Sequence, residues 1–135
     1  MNEDFVLTTC PFCGTGCNFF LQVLDGEIVD VIPCKGHAVS RGELCVLGRK
    51  SYQYVQKSDR LTSPLLKKNG TFQEVSWEDA LGFVAQRLGR IKEEAGPQSL
   101  GLLASAKCTN EENYLLMKLA RGVLGTNSID HCARL

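Results

Sequence analysis

The sequence predicts an α+β protein in which a small antiparallel β domain, residues 1–60, precedes the start of an α/β domain, residues 61–135. Three observations lead to this class. Asp25-Gly26 separates two apolar runs, which is a strong hairpin signal. Residues 76–96 have the pattern of a capped amphipathic helix. Residues 100–130 then follow a strand, helix, strand order, which predicts parallel strands joined by a right-handed crossover.

The first domain is predicted to begin with a strand and a hairpin. Phe5–Leu7 forms the strand, residues 18–24 and 27–32 form the arms of the hairpin, and Pro33 ends the second arm. Apolar residues of the two arms are expected to pack together: Phe19, Leu21 and Val23 with Ile28, Val31 and Ile32. We expect this face to pack against the cysteine-rich loop at residues 10–17 and to keep water from part of it.

The second domain is predicted to open with a connector and a long helix. Residues 61–70 form a linker with a second hairpin turn, and Thr71–Val75 form a short strand. Ser76 caps the helix, Asp79 lies in its first turn, and Gly96-Pro97 stops it. Apolar residues at helical spacing form one stripe along it: Leu81, Val84, Ala85, Leu88 and Ile91.

The last third of the chain is predicted to form the βαβ unit. Leu100–Ala104 is an apolar strand, and Thr109 with Glu112 forms a capping box that opens a helix reaching about Leu124. Residues 128–130 start another strand. Because such a unit belongs to a larger sheet, we expect further strands beyond these 135 residues.

Composition excludes several kinds of partner. Fifteen basic and fifteen acidic residues give no net charge, and no basic block is present, so neither nucleic acid nor an anionic membrane is expected as a partner. No apolar run approaches the roughly 18–20 residues of a membrane span. Residues 1–4 are acidic where a signal peptide would be basic, and no twin-arginine leader is seen. We therefore expect a cytoplasmic protein without a membrane span.

Three cysteines fall within eight residues, in the order Cys10-Pro11-Phe12-Cys13-Gly14-Thr15-Gly16-Cys17. This C-x2-C-x3-C spacing places three thiols on one tight loop, and its two glycines let the backbone curl and turn its amides inward. Amides directed at sulfur stabilise thiolate and sulfide charge, which is typical of an iron-sulfur cluster site. The pattern predicts a [4Fe-4S] cluster with a fourth ligand from elsewhere in the chain.

Cys45 and Cys34 are the candidates for the fourth ligand. We prefer Cys45, because Gly42 and Gly48 on either side of it would let a loop approach an inorganic core closely. The predicted metal ligands are therefore Cys10, Cys13, Cys17 and Cys45. His37 lies in the polar loop after Pro33 and remains an alternative ligand or a hydrogen-bond donor to one.

Two other uses of the thiols compete with a cluster. A disulfide framework is disfavoured because the chain has an odd number of cysteines, seven, and no export signal. A structural zinc site usually draws on two C-x2-C knuckles, and the second knuckle is missing. Both remain open as alternatives to the cluster.

Several stretches together resemble the iron-sulfur segment of the molybdopterin oxidoreductases. They are the loop Cys10–Cys17, Arg41-Gly42-Glu43-Leu44-Cys45 and Val75-Ser76-Trp77-Glu78-Asp79-Ala80-Leu81. Two later stretches, Ser105–Tyr114 and Gly125–Arg134, are similar to catalytic subunits of formate dehydrogenases. The resemblance covers nearly all of the chain, but such subunits are several times longer.

This resemblance implies a formate dehydrogenase or carbon dioxide reductase subunit that relays electrons from a metal held by two pyranopterins. The cofactors would be the [4Fe-4S] cluster and molybdenum- or tungsten-bis(molybdopterin guanine dinucleotide). No catalytic residue is expected within the chain, since the metal-ligating selenocysteine or cysteine would follow directly after Leu135. A selenocysteine codon, normally read as stop, is expected there. Cys132 lies too early to be that ligand, because three residues separate it from that position, so we expect a buried structural thiol.

The resemblance also places a lysine two residues after the fourth cysteine, between cluster and pterin, where this chain has Leu47. Arg49 and Lys50 follow closely, and either could supply the cofactor-binding cation.

Expected partners are ferredoxin-like iron-sulfur subunits, with a hydrogenase or a nicotinamide-reducing flavoprotein as further modules, and formate and carbon dioxide as substrates. A stand-alone ferredoxin-like carrier is the competing class, although a carrier needs only about the first 60 residues. A nitrate reductase or a complex I-like subunit is another alternative, against which the ending Asp130-His131-Cys132-Ala133-Arg134 argues.

Overall fold

The computed structural model describes residues 2–132, which form two compact units. The first unit contains the chain up to Arg60 together with Ser105–Tyr114 and Cys132. The second contains Leu61–Ala104 and Leu115–His131. The α+β class is confirmed, with antiparallel strands first and a mixture of helices and strands after them.

A three-stranded antiparallel sheet forms the body of the first unit. Its strands are β1 (Glu3–Thr9), β2 (Asn18–Leu24) and β3 (Glu27–Pro33), with β2 in the centre. Asp25 and Gly26 both have positive φ, 48° and 89°, as the predicted two-residue turn requires. A bulge between Gln22 and Val23 shifts the register of β2 against β3.

The core of the first unit lies where this sheet meets the cysteine loop. Its buried residues are Cys10, Phe19, Val31 and Leu44, and partly buried Phe12, Cys17, Leu21 and Tyr52 pack against them. The predicted packing of the hairpin against the loop is thus confirmed. The inclusion of Ile32 was wrong. Ile32 pairs with Phe20 on the opposite face and is exposed, because neighbouring strand residues such as Val31 and Ile32 point to opposite sides.

Short helical turns follow the sheet. Hydrogen bonds from His37 N to Cys34 O (3.2 Å) and from Arg41 N to His37 O (2.9 Å) fold the connecting loop. Helix α1 (Val46–Arg49) and a 3-10 turn (Ser51–Tyr54) come next.

The second unit begins with a hairpin and the long helix. Strands β4 (Leu65–Lys68) and β5 (Thr71–Glu74) pair antiparallel, and α2 runs over Trp77–Ala95. The Ser76 hydroxyl accepts a hydrogen bond from Asp79 N (3.0 Å), so the predicted N-cap is confirmed. None of the residues of α2 is fully buried, and Leu81, Val84 and Ile91 of its apolar stripe are exposed.

The last elements form the predicted parallel pair. A 3-10 turn (Pro97–Ser99) leads into β6 (Leu102–Ala104), which pairs in parallel with β7 (Ile129–His131). Between them lie α3 (Asn110–Lys118) and a π-helical turn (Leu119–Leu124). The Thr126 hydroxyl, which is buried, donates to Leu100 O (3.0 Å). No helix in residues 2–132 is long and apolar enough to cross a membrane.

Candidate metal centre

The cysteine loop is the connection between β1 and β2. Thr9 pairs with Asn18 at the end of the ladder, and Cys10 N donates to Cys17 O at 2.8 Å, one step further along the hairpin. This bond holds the first and third cysteines of the motif opposite each other at the mouth of the loop. Cys13 lies in the turn between them.

The two glycines of the loop have different roles. Gly16 has φ +65°, a left-handed conformation that favours glycine. Gly14 is not a positive-φ residue, but a Cβ there would collide with the amide of Asn110. Asn110 Nδ2 donates to Gly14 O at 2.8 Å. Gly14 therefore gives a side chain from the start of α3 room to fasten the loop.

Cys45 is placed by the turn before α1. Arg41 and Gly42 both have positive φ, 48° and 85°, and turn the chain toward Leu44, which is buried. Cys45 then occupies the N-cap position with extended backbone, and its carbonyl accepts from Arg49 N (3.0 Å). Gly48, on the inner side of α1, lies against Cys10: a Cβ there would be 3.7 Å from Cys10 Sγ.

Four cysteines line one cavity in the first unit, with a volume of about 570 Å³. They are Cys10, Cys13, Cys17 and Cys45. The other lining residues are Phe12, Thr15, Glu43, Leu44, Val46, Leu47, Gly48, Ala106 and Lys107. Cys34, Arg49 and Lys50 are not among the described residues that form its wall.

The electrostatics of the thiols indicate how close together they lie. Burial raises the pKa of Cys10, and repulsion from the thiolates of Cys17, Cys13 and Cys45 raises it further. Burial also raises the pKa of Cys17, again with repulsion from Cys13 and Cys45. Cys10 and Cys17 therefore resist ionising unless a cation compensates the charge of their thiolates.

The four cysteines all line this one cavity. Within residues 2–132, no three His, Cys, Asp or Glu side chains are placed to hold a single metal ion. In a [4Fe-4S] cluster each iron takes its own thiolate, so the four sulfurs must lie around the inorganic core. The donor set, four cysteines that line one cavity, fits the chemistry of such a cluster.

One aromatic side chain, that of Phe12, forms part of the cavity wall. Phe12 lines it and meets Tyr54 edge to face, with ring centroids 5.8 Å apart and planes at 73°. The guanidinium of Arg60 lies over the Tyr54 ring, 5.1 Å from its centroid. These contacts hold the apolar ring of Phe12 in the cavity wall.

Three other predicted site residues, Cys34, His37 and Arg49, are not among the described residues that line the cavity. Cys34 N donates to Asn18 O (3.2 Å), and His37 Nδ1 contacts the hydroxyl of Ser40 (3.1 Å) in the same loop. Arg49 Nε donates to Leu44 O (3.2 Å), the carbonyl of the residue that precedes Cys45. Arg49 thus lies close to the fourth cysteine without forming the cavity wall.

Sequence reasoning missed the contribution of residues 105–110. Ala106 and Lys107 line the cysteine cavity, and Asn110 holds its loop. The capping box at Thr109 indicated a helix start, but nothing in the sequence connected it to residues 10–17.

The prediction of a buried thiol at Cys132 was wrong, because Cys132 is exposed. Its Sγ lies 3.7 Å from the hydroxyl of Ser105. Hydrogen bonding from the Ala106 amide lowers the pKa of Cys132, with smaller contributions from Ser105 and from the charge of Lys107. Residues 133–135, and the metal-ligating residue expected after Leu135, lie outside the described part of the chain.

Comparison with known proteins supports the motif-based interpretation. Residues 3–57 match the molybdopterin oxidoreductase Fe4S4 domain, and residues 60–135 match the molybdopterin oxidoreductase family. A [4Fe-4S] cluster and a molybdopterin are the cofactors that these two domains indicate.

Among similar proteins, the F420-dependent formate dehydrogenase 1 subunit alpha of Methanococcus maripaludis is 44% identical over 135 residues. The F420-dependent formate dehydrogenase subunit alpha of Methanocaldococcus jannaschii is 46% identical over the same length. Both alignments cover the whole chain but only 19% of the relative. Residues 60–135, more than half of the chain, match the molybdopterin oxidoreductase family, and the chain therefore belongs to this family.

Proposed function

We propose that this chain is the N-terminal iron-sulfur segment of a formate dehydrogenase or carbon dioxide reductase catalytic subunit. Its cluster would relay electrons between a molybdenum- or tungsten-pterin site and partner iron-sulfur subunits. The observation that carries the proposal is that four cysteines from two separate stretches of the chain line one cavity of the first unit. The names of the similar proteins, which are formate dehydrogenase subunits, support the choice of substrate.

Cys10, Cys13, Cys17 and Cys45 are the proposed ligands. The cluster, when bound, supplies one-electron transfer. The chain must give up the thiol protons on binding, and burial with mutual repulsion makes these protons hard to remove from Cys10 and Cys17 without compensating metal charge. Cys45 is preferred to Cys34 because it lines the cavity and its charge acts on Cys10 and Cys17.

Arg49 and Lys50 remain proposed cofactor-binding cations. The hydrogen bond from Arg49 Nε to Leu44 O supports this for Arg49, since it fixes the guanidinium one residue from the fourth cysteine. Their charge would offset part of the negative charge of a cluster with four thiolates.

The remaining parts of the proposal concern the whole enzyme. Its substrates would be formate and carbon dioxide, its pterin cofactor a bis(molybdopterin guanine dinucleotide), and its metal ligand a residue following Leu135. Partners would be ferredoxin-like subunits, with a hydrogenase or a nicotinamide-reducing flavoprotein behind them, in the cytoplasm. Residues 1–60 would form the cluster domain, and residues 61–135 the start of the pterin-binding domain.

The ligand assignment is tested by comparing Cys45→Ala with Cys34→Ala in the full chain. After anaerobic reconstitution, Cys34→Ala should retain about four irons and four sulfides per chain. Cys45→Ala should lose the cluster or keep a three-iron form, visible by electron paramagnetic resonance. Retention of the cluster in Cys45→Ala together with its loss in Cys34→Ala would show that the assignment is wrong.

A further inference from the structure

We infer that Lys107 supplies the positive charge in the wall of the cysteine cavity and raises the reduction potential of the cluster held there. This inference rests on the proposed function, because it requires a cluster on the four cysteines. Of the residues that line the cavity, all within the described part of the chain, Lys107 alone is basic and Glu43 alone is acidic. The side chains at positions 43 and 107 therefore set the balance of charge next to the thiolates, and Lys107 supplies its positive part.

Hydrogen bonds around Lys107 hold its backbone at this place. Lys107 N donates to Ser105 Oγ at 3.0 Å, and Cys108 N donates to Ser105 O at 3.2 Å, which closes a tight turn. Asn113 fastens Ser105 from the helix side, accepting from its N at 3.4 Å and donating to its O at 3.1 Å.

A second contact ties the same segment to the cysteine loop. Asn110, three residues after Lys107, donates to Gly14 O at 2.8 Å. The turn and this contact together keep Lys107 at the wall of the cavity.

The sign of the effect follows from charge. Reduction adds one electron to a centre already negative from four thiolates, so a nearby positive charge favours the reduced state. Leu47 lines the same cavity and carries no charge, so the positive charge in the cavity wall comes from Lys107 instead. Because Lys107 is also exposed, water screens part of its charge and the expected effect is moderate.

The test is an anaerobic redox titration of the reconstituted full chain, followed by electron paramagnetic resonance. Lys107→Met should lower the equilibrium constant for reduction about fivefold, which is roughly 40 mV for a one-electron couple. Lys107→Arg should keep the potential of the unaltered chain. Lys57→Met removes the same charge from an exposed residue of the same unit outside the cavity wall, and it should change the potential by less than about twofold in the same constant.

A relocated charge separates electrostatics from packing. In the double variant Leu47→Lys with Lys107→Met, the cation returns to the cavity from α1, and the potential should rise back toward that of the unaltered chain. This variant also provides the measurement if Lys107→Met alone does not assemble.

Iron and sulfide analysis keeps the two proposals apart. An intact cluster whose potential is unchanged in Lys107→Met, or shifted equally in Lys57→Met, overturns the role of Lys107 and leaves the ligand assignment standing. An unaltered chain that binds no four-iron cluster overturns both.

Discussion

Cys10 and Cys132 have opposite environments. Cys10 is 5% exposed, and burial followed by repulsion from neighbouring thiolates raises its pKa. Cys132 is exposed, and the Ala106 amide lowers its pKa by stabilising the thiolate. Only the thiolate is nucleophilic, so the two residues should react at very different rates when no cluster is bound.

We expect iodoacetamide to alkylate Cys132 of the cluster-free chain at least about tenfold faster than Cys10 at neutral pH. Because the pKa of Cys132 is lowered, its rate should reach a plateau at lower pH than the rate of Cys10. Peptide mass spectrometry after timed quenching measures both. Faster labelling of Cys10 would contradict the burial and charge arrangement described for the loop.

The contact between Asn110 and Gly14 offers a second test at the level of single residues. Asn110→Ala removes a hydrogen bond, which should lower the free energy of unfolding by about 0.5–1.5 kcal/mol. It should also hasten the loss of iron to a chelator, because the loop bearing Cys13 is no longer fastened. Asn2→Ala serves as the control, because it removes another exposed side-chain amide, one that donates to nearby Asp4. Equal iron loss in both variants would exclude this role for Asn110.

At the scale of elements, α3 begins beside the metal centre at a reciprocal cap. Glu112 N donates to Thr109 Oγ1 (3.2 Å), and Thr109 N donates to Glu112 Oε2 (2.7 Å). This predicted capping box is confirmed. Since Asn110 follows the cap directly, the cap also fixes the residue that holds the cysteine loop.

Thr109→Ala should therefore cost about 1 kcal/mol of stability, while Thr109→Ser, which keeps the hydroxyl, should cost much less. Urea denaturation of both variants measures the difference. If the two substitutions destabilise the chain equally, the hydroxyl bond is not what stabilises the start of α3.

Elements with local signals were predictable from the sequence. Asp25 and Gly26 form a turn because both residues adopt positive φ. Ser76 caps α2 by accepting a hydrogen bond from the amide of Asp79, three positions away. The four cysteines that line the cavity were also named from spacing and neighbouring glycines. These features depend on interactions between residues close in sequence, or on chemistry that few residue types can perform.

Features that depend on distant contacts were not predictable. Asn110 and Gly14 are 96 positions apart, and no local pattern marks their contact. The helix expected to run to Leu124 changes to a π-helical turn over Leu119–Leu124, where Thr126 N donates to Ala120 O (3.0 Å). Ala120, within this turn, is fully buried. The change from α-helix to π-helix therefore occurs where the chain is packed, which local helix propensity does not predict.

At the scale of the whole chain, many large apolar side chains remain exposed. Trp77, Leu81 and Val84 on α2 are 66%, 61% and 48% exposed, and Leu103 on β6 is 85% exposed. Contiguous exposed apolar surface favours association with other apolar surface. The stripe predicted along α2 is therefore available for contacts.

We expect the isolated chain to bind a hydrophobic dye and to self-associate as its concentration rises. Leu81→Glu combined with Val84→Glu should reduce both effects without changing the iron content, because α2 contributes no residue to the cavity wall. Light scattering and dye fluorescence measure the two effects. Gln86→Glu adds a charge to an exposed position of the same helix outside the stripe and is the matched control. Unchanged association in the double variant would exclude the stripe as its cause.

The last prediction separates electron transfer from formate chemistry. The chain spans 19% of the formate dehydrogenase subunits it resembles, and the metal-ligating residue of the proposed enzyme would follow Leu135. The 135 residues alone should therefore show no formate-dependent dye reduction, although dithionite should reduce the reconstituted cluster. Four thiolate ligands would make that cluster negative, and the proposed cations Lys107, Arg49 and Lys50 would offset the charge only in part, so we expect its potential to be low. Cys45→Ala is the control, because dithionite should not produce the electron paramagnetic resonance signal of a reduced four-iron cluster in this variant, whether it holds no cluster or a three-iron form. Formate oxidation by the unaltered 135-residue chain would require a catalytic centre built from residues other than those of the cysteine cavity.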